Sequence, residues 1–327
     1  MKKFLLSILS PLRSPLLLLL IAFVYFIGIS KDITGDIGKI GQIIFSKEYH
    51  FQEKFQTDDV DRIPWSTIKD LRNQNVLFLG DSFTKGLIYP DYLSLILHQN
   101  AAKFFADNIE TPEKTFVALC NAGVEMPDVV VIESVEREFP FRLCHLDFSL
   151  KIDPIPSVYK PTIAKRSGFS TFYKNKMINN NAIFHVTMQD SLFTCPCKEK
   201  DLYFYHDDLR FPDDEQIWTA ISKLDSLFLL AKEKNVCLFY VVAADKYDVY
   251  QEFTIRNKYP KKELLERFVD FEANPYYVNT KHVLLKNARQ GVKDLYYADD
   301  THWSPIGAKI VAEEIARRMD SLGVFQN

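Results

Sequence analysis

From about Trp65 onward, short apolar runs alternate with stretches of helical periodicity. Val76, Leu77, Phe78 and Leu79 form one run, closed by Gly80, which reads as a buried strand. A helix is predicted next, over 88–105. Residues 116–119 form a second short run, ended by Asn121, Ala122 and Gly123, and are predicted as a strand. Pro127 and Asp128 introduce Val129, Val130, Val131 and Ile132, the strongest parallel-strand pattern in the chain. Over 213–234, Asp213, Asp214 and Glu215 open a helix with Ile217, Ile221, Leu224, Phe228 and Ala231 along one face. Residues 236–242 read as another buried strand. A last helix starts with Ser304 as N-cap and Pro305 at the first turn. Its predicted apolar face is Ile306, Ile310, Val311, Ile315 and Met319, and Gly323 stops it.

Strands alternating with helices predict an α/β domain with a mostly parallel sheet and right-handed crossovers. Residues 138–212 break the pattern. They are rich in Phe, Tyr, Pro and Asn, and are read as an insertion near the carboxyl ends of the strands, where ligands bind in such sheets.

The first thirty residues follow another logic. Lys2 and Lys3 precede a stretch that carries no charge from Leu16 to Ile29. Counted from Leu12, with Arg13 snorkelling at the boundary, the run approaches the ~20 residues a membrane helix needs. No Ala-x-Ala-like site follows it, so an uncleaved anchor is expected over 1–30 in preference to a signal peptide. The flanking cations would keep the N-terminus inside and the remainder facing the periplasm or exterior. Residues 31–72 read as a juxtamembrane connector, with Ile33, Ile37, Ile40, Ile43 and Ile44 at helical spacing among glycines. The main domain is placed at 73–327.

A formal net charge of −3 offers no cation excess for a nucleic-acid partner. Of the five cysteines, Cys120 and Cys144 are a plausible disulfide pair in an exported domain, and Cys237 reads as a buried thiol. Cys195 and Cys197 have no histidine at zinc-ligand spacing. No metal and no organic cofactor is expected.

Two segments carry candidate chemistry. Gly80-Asp81-Ser82-Phe83-Thr84-Lys85-Gly86 puts a serine on a strand-to-helix turn. Asp299-Asp300-Thr301-His302-Trp303 puts a histidine just before a helix, with two carboxylates upstream. A serine hydroxyl needs a base within hydrogen-bond reach, and the base needs a third group to orient it. Ser82, His302 and either Asp300 or Asp299 supply those parts. Trp303 and His206, the latter with Tyr203, Phe204 and Tyr205, are candidates for contact with a sugar; core packing and ordinary surface are the alternatives.

The serine segment resembles the first block of the SGNH/GDSL hydrolase superfamily. The histidine segment is similar to the Asp-x-His-Trp segment of the SGNH-like proteins that O-acetylate alginate and related polysaccharides. Residues 127–138, ending in Glu133-Ser134-Val135-Glu136-Arg137-Glu138, resemble the strand and Glu-Arg segment of that branch, and Ala244-Asp245-Lys246-Tyr247 fits it more loosely. The resemblance implies a flavodoxin-like three-layer fold and an acyl-serine intermediate. Asp-x-His-Trp spacing selects Asp300, and ordinary SGNH spacing selects Asp299; Asp300 is the expectation. Two departures stand out. Here the histidine segment follows the serine, as in ordinary SGNH esterases. The Gly-x-Asn-Asp block of those esterases is also missing. The oxyanion would then rest on the amides of Ser82 and Gly123, with Arg137 either contributing or pairing with Glu136.

The expected function is an extracytoplasmic O-acyltransferase, acetyl being the expected group, acting on a cell-envelope or secreted polysaccharide. The resemblance implies a membrane-bound O-acyltransferase partner as acyl donor. A carbohydrate acetylesterase and a non-catalytic polysaccharide-binding assembly module are the alternatives.

Overall fold

The computed structural model describes residues 36–37, 60–62, 71, 74–85, 88–99, 101–105, 111–150, 182–195 and 198–325. The predicted anchor, most of the connector, Gly86, Cys197 and residues 151–181 of the insertion lie outside the described residues. No helix among the described residues is long and apolar enough to cross a membrane.

The strands are β1 (Val60–Arg62), β2 (Val76–Gly80), β3 (Ala101–Phe105), β4 (Val129–Val135), β5 (Ile183–Thr187), β6 (Asp201–Tyr205), β7 (Cys237–Ala243) and β8 (Tyr277–Asn279). The helices are α1 (Ser82–Lys85), α2 (Ile88–Leu97), α3 (Pro112–Asn121), α4 (Phe139–Cys144), α5 (Asp214–Glu233), α6 (Lys246–Tyr250), α7 (Thr280–Arg289) and α8 (Pro305–Ser321). Among the described residues, six strands form one sheet in the order β1-β3-β2-β4-β7-β8. Every neighbouring pair is parallel.

β2 and β4 are buried along their whole length. Helices cover both faces, which is why these strands read as unbroken apolar runs. The chain steps from β2 to β3 on one side, then returns past β2 to β4. Right-handed crossovers therefore put α2 on one face and α3 and α5 on the other. α8 packs back on α2 and on α7, which adds both to the first face. The strand order reverses between β2 and β4, where doubly wound sheets bind ligands outside the carboxyl ends.

Several predicted elements shift. The helix expected over 88–105 stops at Leu97, where His98 takes a positive φ of 54°, and β3 follows. Residues 116–119 are helical, not extended. Thr111 caps α3 by accepting from the Lys114 amide, and Pro112 occupies its first turn. Phe116, Val117 and Leu119 are buried in that helix. On α8, Ile306 is 45% exposed, and the buried stripe is Ala308, Val311, Ala312, Ile315, Ala316 and Met319. Cys120 and Cys144 are free thiols, and Cys144 Sγ donates to the Gln216 carbonyl. The insertion is not wholly irregular: β5 and β6 form an antiparallel hairpin.

Candidate active site

β2 ends at Gly80 and the chain turns directly into α1. A Cβ on Gly80 would lie 1.8 Å from Thr84 Oγ1 and 2.8 Å from Glu133 Oε2, so the turn closes only on glycine. Glu133, from β4, fills the turn. Its Oε2 accepts from the amides of Asp81 (3.1 Å) and Thr84 (3.2 Å) and from the Thr84 hydroxyl (2.9 Å). Burial, reinforced by the charge of Asp81, pushes this carboxyl well above its usual range. Asp81 Oδ1 accepts from the Phe83 amide at 3.3 Å. Asp81 Oδ2 takes the Val135 amide (3.3 Å) and Arg142 Nη1 (3.1 Å). The turn is thus braced from β4 and α4. Ser82 is its exposed residue. The amides on both sides are taken, while the Ser82 amide has no partner among the described residues.

The histidine lies on a tight loop before α8. Tyr296 and Trp303 pair across its base, and the Tyr297 amide donates to the His302 carbonyl at 3.2 Å. Ser304 caps α8 by accepting from the amides of Ile306 (3.0 Å) and Gly307 (3.4 Å), and its hydroxyl donates to the Asp294 carbonyl. Gly307 is required here, because a Cβ would sit 2.0 Å from the Leu295 carbonyl oxygen. From beneath, buried Lys246 donates to the carbonyls of Tyr297 (2.7 Å), Ala298 (2.9 Å) and Asp300 (3.2 Å).

At the loop tip, His302 Nδ1 lies 2.5 Å from Asp300 Oδ1, which also accepts the His302 amide at 3.1 Å. This bond holds the imidazole with Nε2 pointing away from Asp300, and Nε2 has no hydrogen-bond partner among the described residues. Burial opposes the imidazolium, but the Asp300 bond and the charges of Asp300, Asp36 and Asp81 prevail and raise the His302 pKa. Burial works against the Asp300 carboxylate too, and the His302 bond and charge hold its pKa far below the usual range. Asp299 is buried instead, and its charge acts on Lys246. The partner of His302 is therefore Asp300.

The two segments, more than two hundred residues apart, meet through aromatic packing. The Phe83 ring lies 4.8 Å from the His302 ring and 4.6 Å from the Trp303 ring. No hydrogen bond joins Ser82 to His302 in this arrangement; apo sites often tighten such contacts only with substrate bound.

Other expected site residues fall elsewhere. Gly123 follows α3 and precedes β4, so it lies at the amino end of the parallel sheet, whereas Ser82 follows the carboxyl end of β2. Its amide donates to the Cys120 carbonyl at 3.4 Å. The misread strand at 116–119 produced that expectation, and Gly123 is withdrawn as an oxyanion donor. Arg137 does not pair with Glu136. It bonds Asp245 and, at 3.4 Å, Asp208, with its guanidinium 5.6 Å above the Tyr205 ring. Glu136 instead accepts the Asp245 amide at 2.8 Å and pairs with Lys262 at 3.3 Å. Trp303 is 3% exposed, wedged against Phe83 and Tyr89, so it is core and not a sugar platform. His206 is exposed and contacts Asp207 and the Phe184 ring. Phe204 is buried against Tyr247, while Tyr203 stacks on His185 at the surface.

Asp36, Glu133, Lys246 and Phe83 were not singled out as site residues from the sequence. Phe83, Glu133 and Lys246 lie within segments that carried the family resemblance, but no role was read for them; Asp36 had no such signal. Asp36, Asp300 and His302 bring metal-type ligand atoms within 4.8 Å of one another. Nδ1 and Oδ1 are already bonded to each other there, which fits an oriented base better than a cation site.

Comparison with known families adds one finding. Residues 198–326 match the family model for the SGNH hydrolase-like domain of the acetyltransferase AlgX. That match spans β6 through α8 and takes in Asp300 and His302, while Ser82 lies before it. The SGNH-like, AlgX-type resemblance read from the motifs is supported through this C-terminal stretch. No curated protein and no solved structure matches the chain.

Proposed function

We propose that this chain is an extracytoplasmic O-acetyltransferase acting on a cell-envelope or secreted polysaccharide through an acyl-serine intermediate. The observation that carries the reading is His302. Its Nδ1 is fixed by Asp300, its Nε2 is unpartnered, and its ring packs on the residue next to Ser82. The match of residues 198–326 to an acetyltransferase family supports transfer as the outcome.

In the first half-reaction Ser82 Oγ attacks the carbonyl carbon of an acyl donor, and His302 Nε2 takes the serine proton. The carbonyl oxygen becomes an oxyanion facing the Ser82 amide. Collapse breaks the bond to the leaving group, which receives the proton from His302. In the second half a sugar hydroxyl gives its proton to Nε2 and attacks the acyl-serine. Collapse returns the proton to Ser82 and releases the ester. Asp300 stays ionised and orients the imidazole throughout. With the Arg137 side chain and the Gly123 amide both committed elsewhere, the oxyanion has fewer donors than an ordinary SGNH esterase offers. One missing donor typically costs about 10²–10³ in rate.

A polysaccharide acceptor, a membrane-bound O-acyltransferase as donor and a single N-terminal anchor complete the proposal. The exposure of Ser82 favours a second reading, an esterase that passes the acyl group to water. The test is the full-length chain with a chromogenic acetyl ester and a panel of oligosaccharides. Ser82-dependent acetylation of a sugar supports transfer. Ser82-dependent release to water alone, across the panel, supports the esterase. Turnover unchanged in Ser82→Ala rejects the serine mechanism.

A further inference from the structure

We infer that Asp36 is a positioning residue that holds Asp300 and His302 in register, tying the site to the segment that precedes the sheet. The inference rests on the roles proposed above for Asp300 and His302. Asp36 lies 264 positions before Asp300, yet its amide donates to Asp300 Oδ2 at 3.1 Å. That is the carboxylate oxygen His302 does not use. In return the Asp36 carboxylate accepts from the Thr301 amide (3.0 Å, Oδ1) and the Thr301 hydroxyl (2.9 Å, Oδ2). Its Oδ2 also lies 3.8 Å from His302 Nδ1. Ile37, the next residue, is fully buried in the hydrophobic core. The clamp is therefore anchored by apolar burial as well as by three hydrogen bonds.

The side from which Asp36 approaches distinguishes a brace from a plug. Its contacts with the histidine loop fall on Asp300, Thr301 and the Nδ1 edge of His302, and its carboxylate also meets Tyr205 from the insertion. Nε2, the atom that would take the serine proton, is buried but has no hydrogen-bond partner among the described residues, so Asp36 does not occupy it. The charged and titratable groups around the imidazole are Asp300 on its own loop, Asp36 from the preceding segment and Asp81 from the serine turn. Tyr205, from the insertion, faces Asp36 and Asp300, and Arg137 lies over Tyr205. Lys246 faces Asp300 from below. Asp36 is thus one of three carboxylates that favour the imidazolium, and the one that comes from outside the two motifs. Lifting residue 36 off the loop would free one Asp300 oxygen and the Thr301 donors together.

The experiment uses the full-length chain in detergent. Ester turnover is measured against pH, and the His302 imidazole is titrated by NMR with labelled histidine. Asp36→Asn keeps the amide and an acceptor oxygen but removes the charge. Asp36→Ala removes the whole clamp. For Asp36→Asn the acid limb of kcat/KM and the His302 titration should both move to lower pH, with KM within twofold of the parent. For Asp36→Ala, kcat should fall at least tenfold, and Asp36→Asn should recover a substantial part of it. An unmoved His302 titration in Asp36→Asn, with parental kcat in both variants, overturns the inference. Should Asp36→Ala fail to fold, Asp36→Asn and the titration decide alone. If the parent shows no Ser82-dependent turnover but the titration still moves, the positioning inference stands and the enzymatic reading falls.

Discussion

The ring of Phe83 lies 4.8 Å from the ring of His302, tilted at 53°, and this contact brings the serine turn and the histidine loop together. Phe83 is 5% exposed and also meets Trp303 edge-on. Phe83→Ala would open a void between turn and loop. We expect a loss of about 3–5 kcal/mol in unfolding free energy, in the range for a buried phenylalanine. Phe83→Leu should lose less stability and still depress turnover, because the imidazole loses its packing wall. Denaturant melts alongside ester kinetics check both.

Glu133 is predicted to be replaceable by its neutral isostere. Burial pushes its carboxyl pKa well above the usual range, and the group serves as an acceptor inside the serine turn. Glu133→Gln keeps an acceptor oxygen in the same place and should melt closer to the parent at pH 7 than Glu133→Ala does. Glu133→Ala leaves the amides of Asp81 and Thr84 without their acceptor, at about 1–3 kcal/mol for each orphaned group. Equal melting of the two variants would contradict this account.

Lys246 donates to three carbonyls of the loop that carries Asp300 and His302. Burial pushes its pKa down to about 8, so the ammonium still predominates at pH 7. Lys246→Met retains an unbranched apolar stem but no donor. A small misplacement of a catalytic group costs on the order of 10²-fold, so kcat should fall by at least about tenfold while far-UV circular dichroism stays unchanged.

Lys262 stands between Glu136 and Asp245, at 3.3 Å and 2.6 Å, and is almost wholly buried. Lys262→Met leaves buried carboxylates short of a counter-charge, which costs about 3–5 kcal/mol. A melt within error of the parent would contradict the assignment of this network to stability.

The His302–Asp300 pair makes stability and activity trend oppositely with pH. His302 has its pKa raised on folding. Its contribution to stability is fully present below the unfolded value, about 6.5, and is lost as pH rises through the folded value. The base must be neutral to accept the serine proton, so kcat/KM should rise over that same window. Asp300, held far below its usual range, stays ionised throughout. Thermal melts from about pH 6 upward, compared with His302→Gln, should show a decline in the parent that the variant lacks.

What could be read from the chain follows the physics of burial. β2, β4 and β7 are covered on both faces, so their apolar runs were legible almost to the residue. The cap at Ser304 was legible because its side chain serves local amides, whereas Asp213, read as a first-turn charge, is the N-cap of α5. α3 was misread because four apolar residues in a row fit a buried helix as well as a strand. Gly123 was misplaced as a consequence. β3 was hidden because α2 ends at His98 with neither glycine nor proline to announce it. Asp36 had no sequence signal at all, since its partners lie 264 and 265 positions away and it sits in a stretch read for its isoleucines.

The most direct test of the serine mechanism is acylation of Ser82 itself. The full-length chain is incubated with an activated acetyl ester, quenched in acid, and its intact mass and peptides are measured. The account predicts one acetyl group, carried on the peptide containing Ser82, absent in Ser82→Ala and strongly reduced in His302→Ala. Acetyl found elsewhere, or retained in Ser82→Ala, would contradict it.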